Sequence, residues 1–392
     1  MRKLWLAALS LAVVTADASS QSAAPVKVGF SIARTGIFAA GTQTSLNSYE
    51  LWAERVNAGG GLDVKGTKRP VQLVWHDDQS NASKAAQIYE KLITSDKVDL
   101  LIGPWGSPAS LAIAGVVERH QFPTVVGAAS SVKLREIKAG NIFFTSMVFP
   151  DKLAQTLADI LKANGYKSAA VLTVQVPYTL EIKSFLVPNL KKAGIDVKVD
   201  EGYPPMVRDM TALLLRVKEA APDAVIVLSF PADTAIYMNQ ARETGINAPF
   251  QFNLIGPTRE WFPKQFGAHA NGMVTIGSWH PNKAEWPKAK PFYDAYTKKF
   301  NEKPDYSDAI LGYMACEVLE EAVRIAGLDK NALRKTLASA TFDTLTGPVK
   351  FQGVENVATP TGLSQYQNGQ LEIVWPPNIA TAKLIRKGAA KP

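Results

Sequence analysis

The chain has 392 residues, too many for one small core, and 46% of them are hydrophobic against 20% charged. This composition is typical of a folded protein of two or more domains and excludes disordered, collagen-like and coiled-coil chains. Lys and Arg number 43 against 35 Asp and Glu, a formal charge of +8. Because the basic residues form no cluster, we expect a mild preference for anionic ligands and no nucleic-acid partner.

The N-terminus has the pattern of a secretory signal peptide. Arg2 and Lys3 precede an apolar run at 4–14, and Ala16 and Ala18 are the small residues that a signal peptidase reads. A helix of about eleven residues rises only about 17 Å, too short for a hydrocarbon core of about 30 Å. We therefore predict a signal peptide at 1–18, its cleavage, and a soluble mature protein in the periplasm.

Strand and helix patterns alternate along the first third of the chain. Predicted strands lie at 26–32, 71–75, 99–102 and 124–126, and amphipathic helical patterns separate them. The first helix ends at three consecutive glycines, Gly59 to Gly61. Such alternation predicts a parallel sheet with helices on both faces.

The same rhythm restarts after Pro150 and predicts a second α/β unit. Its predicted strands lie at 169–174, 195–199, 224–228, 250–254 and 273–276. Helices dominate from residue 284, mainly at 292–300 and 307–326, and Cys316, the only cysteine, is expected to be a buried thiol there. Short strands follow at 349–351, 363–367 and 371–374, the last two joined by the hairpin dipeptide Asn368-Gly369.

Motifs of catalysis and of cofactor binding do not stand out in this sequence. It has neither a G-x-G-x-x-G loop nor a P-loop, and its four histidines are scattered, so we expect no cofactor, no metal and no enzyme. Ser107 as a nucleophile is the weaker reading, because the G-x-S-x-G elbow is not matched. Asp77 and Asp78 could assist a base at His76, but we expect them to order a turn and cap the next helix.

Ligands of open parallel sheets bind beyond the carboxyl ends of the strands, so the loops there are the candidate site. Hydroxyls and helix N-termini in the first-half loops suit a carboxylate, and aromatic residues in the second half suit an apolar body. Each residue could instead be a core aromatic or a helix cap. The loops concerned are 35–38, 105–107, 128–130, 176–178, 230–231 and 255–259.

An ordered series of short motifs resembles the periplasmic solute-binding proteins of ABC transporters of the branched-chain amino acid type, the leucine/isoleucine/valine-binding family. The motifs are Thr35-Gly36, Asn57-Ala58-Gly59-Gly60, Asp77-Asp78-Gln79-Ser80, Gly103-Pro104 with Ser107, Ala128-Ala129-Ser130, Pro222-Asp223-Ala224 and Gly347-Pro348-Val349. The resemblance implies two doubly wound α/β lobes joined by three crossovers, near 146–150, 277–280 and 342–347. Lobe one would hold 25–147 and 280–345, and lobe two 148–279 and 346–392.

The resemblance also implies the site residues. Hydroxyls of Ser107 and Ser130 would bind the ligand's carboxylate together with backbone groups of Trp105, Ala128 and Ala129. Side chains of Phe38, Trp105, Tyr178 and Phe230 would enclose an aromatic ring, and Arg259 is a candidate for a second ligand oxygen. The implied partners are a small organic acid and the membrane permease subunits, with the binding protein a monomer.

One departure from the family predicts the kind of ligand. Amino-acid binders place a lobe-two carboxylate against the ligand's ammonium, and Ile255 or Gly256 takes that place here. An unpaired ammonium in a closed cleft costs several kcal/mol. We therefore expect an aromatic or hydrophobic carboxylate without an α-amino group. A branched-chain amino acid is the alternative within the family, and a sensor domain that feeds a separate membrane protein is the alternative outside it.

Overall fold

Two large β-sheets, each covered by helices, and a small antiparallel pair of strands, β2 and β3, form the fold in the computed structural model, which describes residues 24–136 and 139–387. The predicted signal peptide at 1–18 lies outside the described residues. The strands are β1 (Val26–Ile32), β2 (Leu62–Val64), β3 (Thr67–Arg69), β4 (Val71–Asp77), β5 (Leu100–Ile102), β6 (Thr124–Val126), β7 (Ile142–Phe144), β8 (Ser168–Val174), β9 (Asp196–Tyr203), β10 (Ala224–Leu228), β11 (Phe250–Asn253), β12 (Met273–Ile276), β13 (Thr341–Thr344), β14 (Gly347–Gln352), β15 (Glu355–Asn356), β16 (Leu363–Gln367) and β17 (Gln370–Trp375). The helices are α1 (Ala39–Ala58), α2 (Ala82–Thr94), α3 (Ser107–Arg119), α4 (Lys133–Glu136), α5 (Pro150–Ala163), α6 (Pro177–Lys192), α7 (Thr211–Ala220), α8 (Pro231–Thr244), α9 (Trp261–Phe266), α10 (Ala289–Phe300), α11 (Asp308–Ala326) and α12 (Lys330–Ser339).

Lobe one is the sheet that contains β1, together with α1–α4 and α10–α12. Its strand order is β13-β14-β15-β7-β6-β5-β1-β4, parallel from β15 to β4 and antiparallel among β13, β14 and β15. Apolar side chains of α1, α10, α11 and α12 pack on one face, and those of α2 and α3 pack on the other. Each helix therefore buries one stripe against a sheet that is covered on both sides.

Lobe two is the second sheet with α5–α9. Its strand order is β17-β16-β12-β11-β10-β8-β9, and β8 to β12 run parallel. Helices α5 and α6 cover one face and α7 to α9 the other. The predicted hairpin is confirmed: β16 and β17 pair antiparallel, and Asn368 and Gly369 have φ angles of 52° and 80°, as a tight hairpin turn requires.

The predicted α/β class with two doubly wound lobes is confirmed. The chain crosses between the sheets three times: after β7 at 145–149, after β12 at 277–288, and between β15 and β16 at 357–362. The third crossover differs from the prediction of 342–347, because β14 and β15 still belong to lobe one. Phe351 of β14 packs there against the rings of Phe143 and Phe342. The other predicted lobe boundaries remain a proposal.

The structure also describes the surroundings of Cys316, the length of the helices and the grouping of metal-binding side chains. Cys316 is fully buried, as predicted, and burial raises the pKa of its thiol well above the usual value. Within the described ranges, no helix has the length and apolar character needed to cross a bilayer. The same residues contain no cluster of three His, Cys, Asp or Glu side chains in a position to hold a metal ion.

Candidate functional site

The carboxyl ends of β5 and β6 bring the two predicted hydroxyls together. Ser107 opens α3, and Ser130 follows the end of β6; the backbone N–H of Ser130 donates to Ser107 Oγ at 3.0 Å. A second bond, from the N–H of Gly106 to the carbonyl of Ala128 at 2.7 Å, joins the same two loops. Ser130 Oγ also hydrogen-bonds Ser146 Oγ in the first crossover. We call Ser107, the neighbouring first turn of α3 and residues 128–130 the clasp.

The clasp has the chemistry of a site for an anion. Hydroxyl groups can donate to a carboxylate, and the unpaired N–H groups in the first turn of a helix favour negative charge. Ala129 and Ser130 are buried, whereas Ala128 and Ser107 retain exposed surface. The predicted clasp residues therefore lie together, as the strand-end argument expected.

An aromatic pair borders the clasp. The rings of Phe38, just before α1, and Trp105, just after β5, lie 5.1 Å apart at 44°. Gly41 leaves room beside them, since a Cβ there would lie 3.8 Å from the Trp105 indole. The Nε1–H of Trp105 is buried and makes no hydrogen bond of good geometry among residues 24–136 and 139–387. The Asp308 carboxylate is its neighbouring acceptor, and the indole donor counteracts the rise that burial causes in the pKa of Asp308.

Lobe two contributes Tyr178 in the first turn of α6. Its hydroxyl donates to the carbonyl of Val148 in the first crossover at 2.9 Å, which fixes the ring next to the hinge. Burial, with the nearby charges of Glu181 and Asp308, raises the pKa of this phenol. Since Asp308 belongs to lobe one, Tyr178 lies where the two lobes face each other.

The other two predicted lobe-two residues are half-buried at strand ends. Phe230 precedes α8, its N–H donates to Asp233 Oδ2 at 3.1 Å, and its ring packs on the lobe-two core. Ile255 also packs on that core. A Cβ at Gly256 would lie 2.5 Å from Thr234, so this turn has no room for a larger side chain. Among the described residues, no hydrogen bond or ring contact joins Phe230 to the clasp, and its role as a ring wall stays a prediction.

Arg259 lies in the cleft, in contact with lobe one. Its side chain is only 9% exposed, and it donates to Asp305 Oδ2 at 3.1 Å, Asp308 Oδ2 at 2.5 Å and Thr44 Oγ1 at 3.1 Å. Next to it, the N–H of Tyr306 donates to the carbonyl of Thr258 at 3.3 Å. These contacts occupy three of the five guanidinium N–H groups, and a bond from Arg259 to a ligand remains untested.

The sequence did not predict the acidic residues near the cleft. Asp305 precedes α11 and Asp308 begins it, so neither residue follows a strand, and a search of strand ends does not find them. Glu181 of α6 accepts hydrogen bonds from Ser131 Oγ and the N–H of Val132, at 3.2 and 3.1 Å. The only signal for Asp305 and Asp308 was a carboxylate in or just before the first turn of an apolar helix, which also describes ordinary capping.

Asp77 and Asp78 order the turn that follows β4, as predicted. Asp77 accepts from the N–H groups of Arg34 and Gln79, both at 2.9 Å, and Asp78 accepts from Ser31 Oγ at 2.8 Å. The capping half of the prediction is wrong. Helix α2 is capped by Asn81, whose side chain accepts from the N–H of Lys84.

The lobes are closed on each other at the hinge side of the cleft. The cavity there leaves about 10 Å³ in which the centre of a water molecule can lie, room for about one water. Its lining comes from both lobes and from two crossovers: Met147, Val148, Ile276, Gly277, Ser278, Tyr306, Ser307 and Leu311. At this point of the cleft, a ligand larger than water would therefore require the lobes to separate.

Two lobes, three crossovers and an anion clasp at facing strand ends define a cleft-type ligand-binding protein. The chain belongs to the periplasmic binding protein family, whose model matches residues 25–365. This is a family of transporter substrate-binding proteins, not of enzymes.

Individual relatives are distant but span the whole chain. Leu/Ile/Val-binding protein homolog 7 of Brucella melitensis is 25% identical, over 97% of this chain and 98% of the relative. The isoleucine complex of the branched-chain amino acid transporter substrate-binding protein LivJ from Streptococcus pneumoniae has a TM-score of 0.78 at 23% identity, over 92% and 99% of the two chains. A Rhodopseudomonas palustris solute-binding protein in complex with 3,4-dihydroxybenzoic acid has a TM-score of 0.76 at 22% identity, over 93% and 99%. A second R. palustris protein, in complex with benzoate, has a TM-score of 0.77 at 22% identity, over 94% and 99%.

Proposed function

We propose that this protein is the periplasmic substrate-binding component of an ABC importer. It is exported through its N-terminal signal peptide, closes by hinge motion on a small aromatic or hydrophobic carboxylate, and delivers it to membrane permease subunits as a monomer. Its clasp binds the carboxylate, and the aromatic side chains enclose the apolar body.

The observation that carries the ligand class is the clasp itself, in which the Ser107 hydroxyl lies in the first turn of α3. That turn contains no acidic residue, and a carboxylate would supply oxygens both to the hydroxyl and to the N–H groups of the turn. The ring of Phe38, stacked against Trp105, continues the site as an apolar surface. An anion with an aromatic or aliphatic body satisfies both parts.

The acids near the cleft support a ligand without an ammonium group. Asp308 is engaged by Arg259, and Glu181 is engaged by Ser131 and Val132. Two further acids of lobe two, Asp233 and Glu260, are also engaged by other groups. Asp233 accepts from the Tyr203 hydroxyl at 3.1 Å, and Glu260 pairs with Lys264 at 3.1 Å.

A branched-chain amino acid remains the second candidate, on one specific observation. Asp305 and Asp308 place two carboxylates against the single guanidinium of Arg259, so the fully ionised cluster carries one surplus negative charge. A ligand ammonium near Asp308 would balance that charge. The isoleucine-bound relative from S. pneumoniae is consistent with this reading, and the benzoate-bound R. palustris protein with the first.

A thermal-shift screen of the mature protein distinguishes the two candidates. The probes are benzoate, 3,4-dihydroxybenzoate, leucine and isoleucine. A probe at 100 times its Kd stabilises the folded protein by about 2.7 kcal/mol. We expect a rise in Tm with the benzoates, its loss in Ser107→Ala, and its retention in the matched control Ser339→Ala, whose serine lies on the exposed end of α12. A larger shift with leucine or isoleucine would instead establish the second candidate.

A further inference from the structure

The most buried ion pairs between the lobes are those of the Arg259 cluster. Arg259 follows the turn after β11 in lobe two, whereas Asp305 and Asp308 lie at the start of α11 in lobe one. Helix α11 is firmly part of lobe one: the carbonyl of Ala309 accepts from Ser48 Oγ of α1 at 2.8 Å. The ion pairs of Arg259 therefore join the two lobes.

Other polar contacts also join the lobes, among them Glu181 with Ser131 and Tyr306 with Thr258. Arg135 of α4 pairs with Asp151 at 2.6 Å, directly after the first crossover. Tyr306 and Ser307, next to the Arg259 cluster in sequence, line the hinge-side cavity. The guanidinium and its two carboxylates nevertheless belong to different lobes and to no crossover, so rotation of the lobes changes the distance between them.

Because the three side chains are buried, the energy of the cluster depends strongly on which of them carry a charge. The side chains of Arg259, Asp305 and Asp308 are 9%, 2% and 8% exposed. In the closed form the guanidinium is the only cation in contact with the two carboxylates among the described residues. Removing it would leave two carboxylates facing each other out of water, whereas in an open cleft water would solvate both.

We propose that Arg259 is the closure residue of this protein: by neutralising Asp305 and Asp308 across the cleft, it stabilises the closed form even without a ligand. The guanidinium acts through the two lobe-one carboxylates and not by contact with the ligand, so it is a positioning residue. The inference goes beyond the proposed function, because it requires no particular ligand. It predicts that charge balance in the cluster sets the ratio of closed to open protein.

The net charge of the cluster predicts an order of closed fractions among variants that a simple loss of packing would not produce. With all groups ionised, the cluster has a net charge of −1 in the wild type. Arg259→Met changes it to −2, and Asp308→Asn changes it to zero while keeping an oxygen for the guanidinium. The closed fraction should therefore be highest in Asp308→Asn, intermediate in the wild type and lowest in Arg259→Met.

The distance between the two rims of the cleft, measured without ligand, tests this order. Ile37 and Met206 are 82% and 85% exposed, in loops after β1 and β9, several strands from the crossovers in each sheet. Spin labels on Ile37→Cys and Met206→Cys report the distance by pulsed electron resonance. The native Cys316 is fully buried and should not react. Arg216→Met is the matched control, because it breaks an exposed ion pair with Glu201 inside lobe two.

We expect the ligand-free wild type to show a short-distance population. Its ratio to the long-distance population should fall at least tenfold in Arg259→Met, stay or rise in Asp308→Asn, and remain unchanged in Arg216→Met. Arg259→Lys, which keeps the charge, should lie between Arg259→Met and the wild type. Circular dichroism verifies that each variant is folded. A wild type that is entirely open, or equal distances in Arg259→Met and the wild type, would overturn the proposal.

Discussion

Replacing Asp308 by asparagine should make the protein more stable at neutral pH and leave its stability unchanged in acid. Burial of the Asp308 carboxyl, only partly offset by Arg259, raises its pKa from 3.8 to about 6. A folded-state pKa above the unfolded value means that the folded protein binds the extra proton. The free energy of unfolding therefore falls as pH rises from about 4 to about 6.

The size of the effect follows from that interval. Each tenfold change in an acid dissociation constant corresponds to about 1.4 kcal/mol, so the ionised carboxyl costs up to about 3 kcal/mol above pH 6. Asparagine keeps the oxygen that accepts from Arg259 and cannot ionise, and Arg259 retains Asp305 as its counter-ion. Asp308→Asn should thus exceed the wild type by up to about 3 kcal/mol at pH 7.

Urea unfolding at pH 4, 5, 6 and 7 measures this difference directly. The variant and the wild type should coincide at pH 4 and diverge progressively up to pH 7. Asp294→Asn on the surface of α10, where Asp294 pairs with Lys290, serves as control and should differ from the wild type by a small amount at every pH. A constant difference between Asp308→Asn and the wild type, or a variant that is less stable at pH 7, would refute the reasoning.

Three other predictions follow from buried or constrained groups. Glu317 accepts from the N–H of Leu345 at 2.7 Å, and burial raises its pKa to about 7. In urea unfolding, Glu317→Gln should therefore become more stable relative to the wild type as pH rises from about 4.5 to 7. An equal difference in stability at pH 4 and pH 8 would contradict this. Trp105→Phe removes the buried indole donor next to Asp308 and should weaken binding of the stabilising benzoate by about tenfold in calorimetry without lowering Tm by more than a few degrees. Equal affinity would exclude the indole from the site. Gly369→Ala should cost about 1 kcal/mol in thermal unfolding because Gly369 has a φ of 80°, whereas Gly115→Ala inside α3, with open space around the added methyl, should not destabilise the protein.

The sequence was sufficient for the sheet elements that have a clear local pattern. The strands at 26–32, 124–126, 224–228, 273–276 and 363–367 occur at the predicted positions. Strand β7 at Ile142–Phe144 was missed although it is as long as β6, because the helix before it, α4, has only four residues and shows no helical pattern that would mark the alternation. Strand β14 was found but placed in the wrong lobe, since alternation shows that a strand exists and not which sheet edge it joins.

Within the candidate site, the sequence predicted the residues whose position is set by the end of a strand. Ser107 and Ser130 lie together because consecutive parallel strands, β5 and β6, end at the same edge of one sheet. The Arg259 cluster depends instead on how a turn of one lobe meets a helix of the other, across 46 and 49 residues of chain. No spacing rule relates such positions, so the side chains that meet between the lobes required the structure.

The hydrogen bond between Ser130 and Ser146 has a consequence for how the protein responds to an occupant. Ser146 belongs to the segment that bends when the lobes move, and Ser130 belongs to the clasp. Under the proposed function, a ligand carboxylate would accept the proton of the Ser130 hydroxyl, and Ser146 would then have to donate in the bond between the two serines. Replacing Ser146 by alanine would remove that donor and change the orientation of Ser130 without any contact between residue 146 and the ligand.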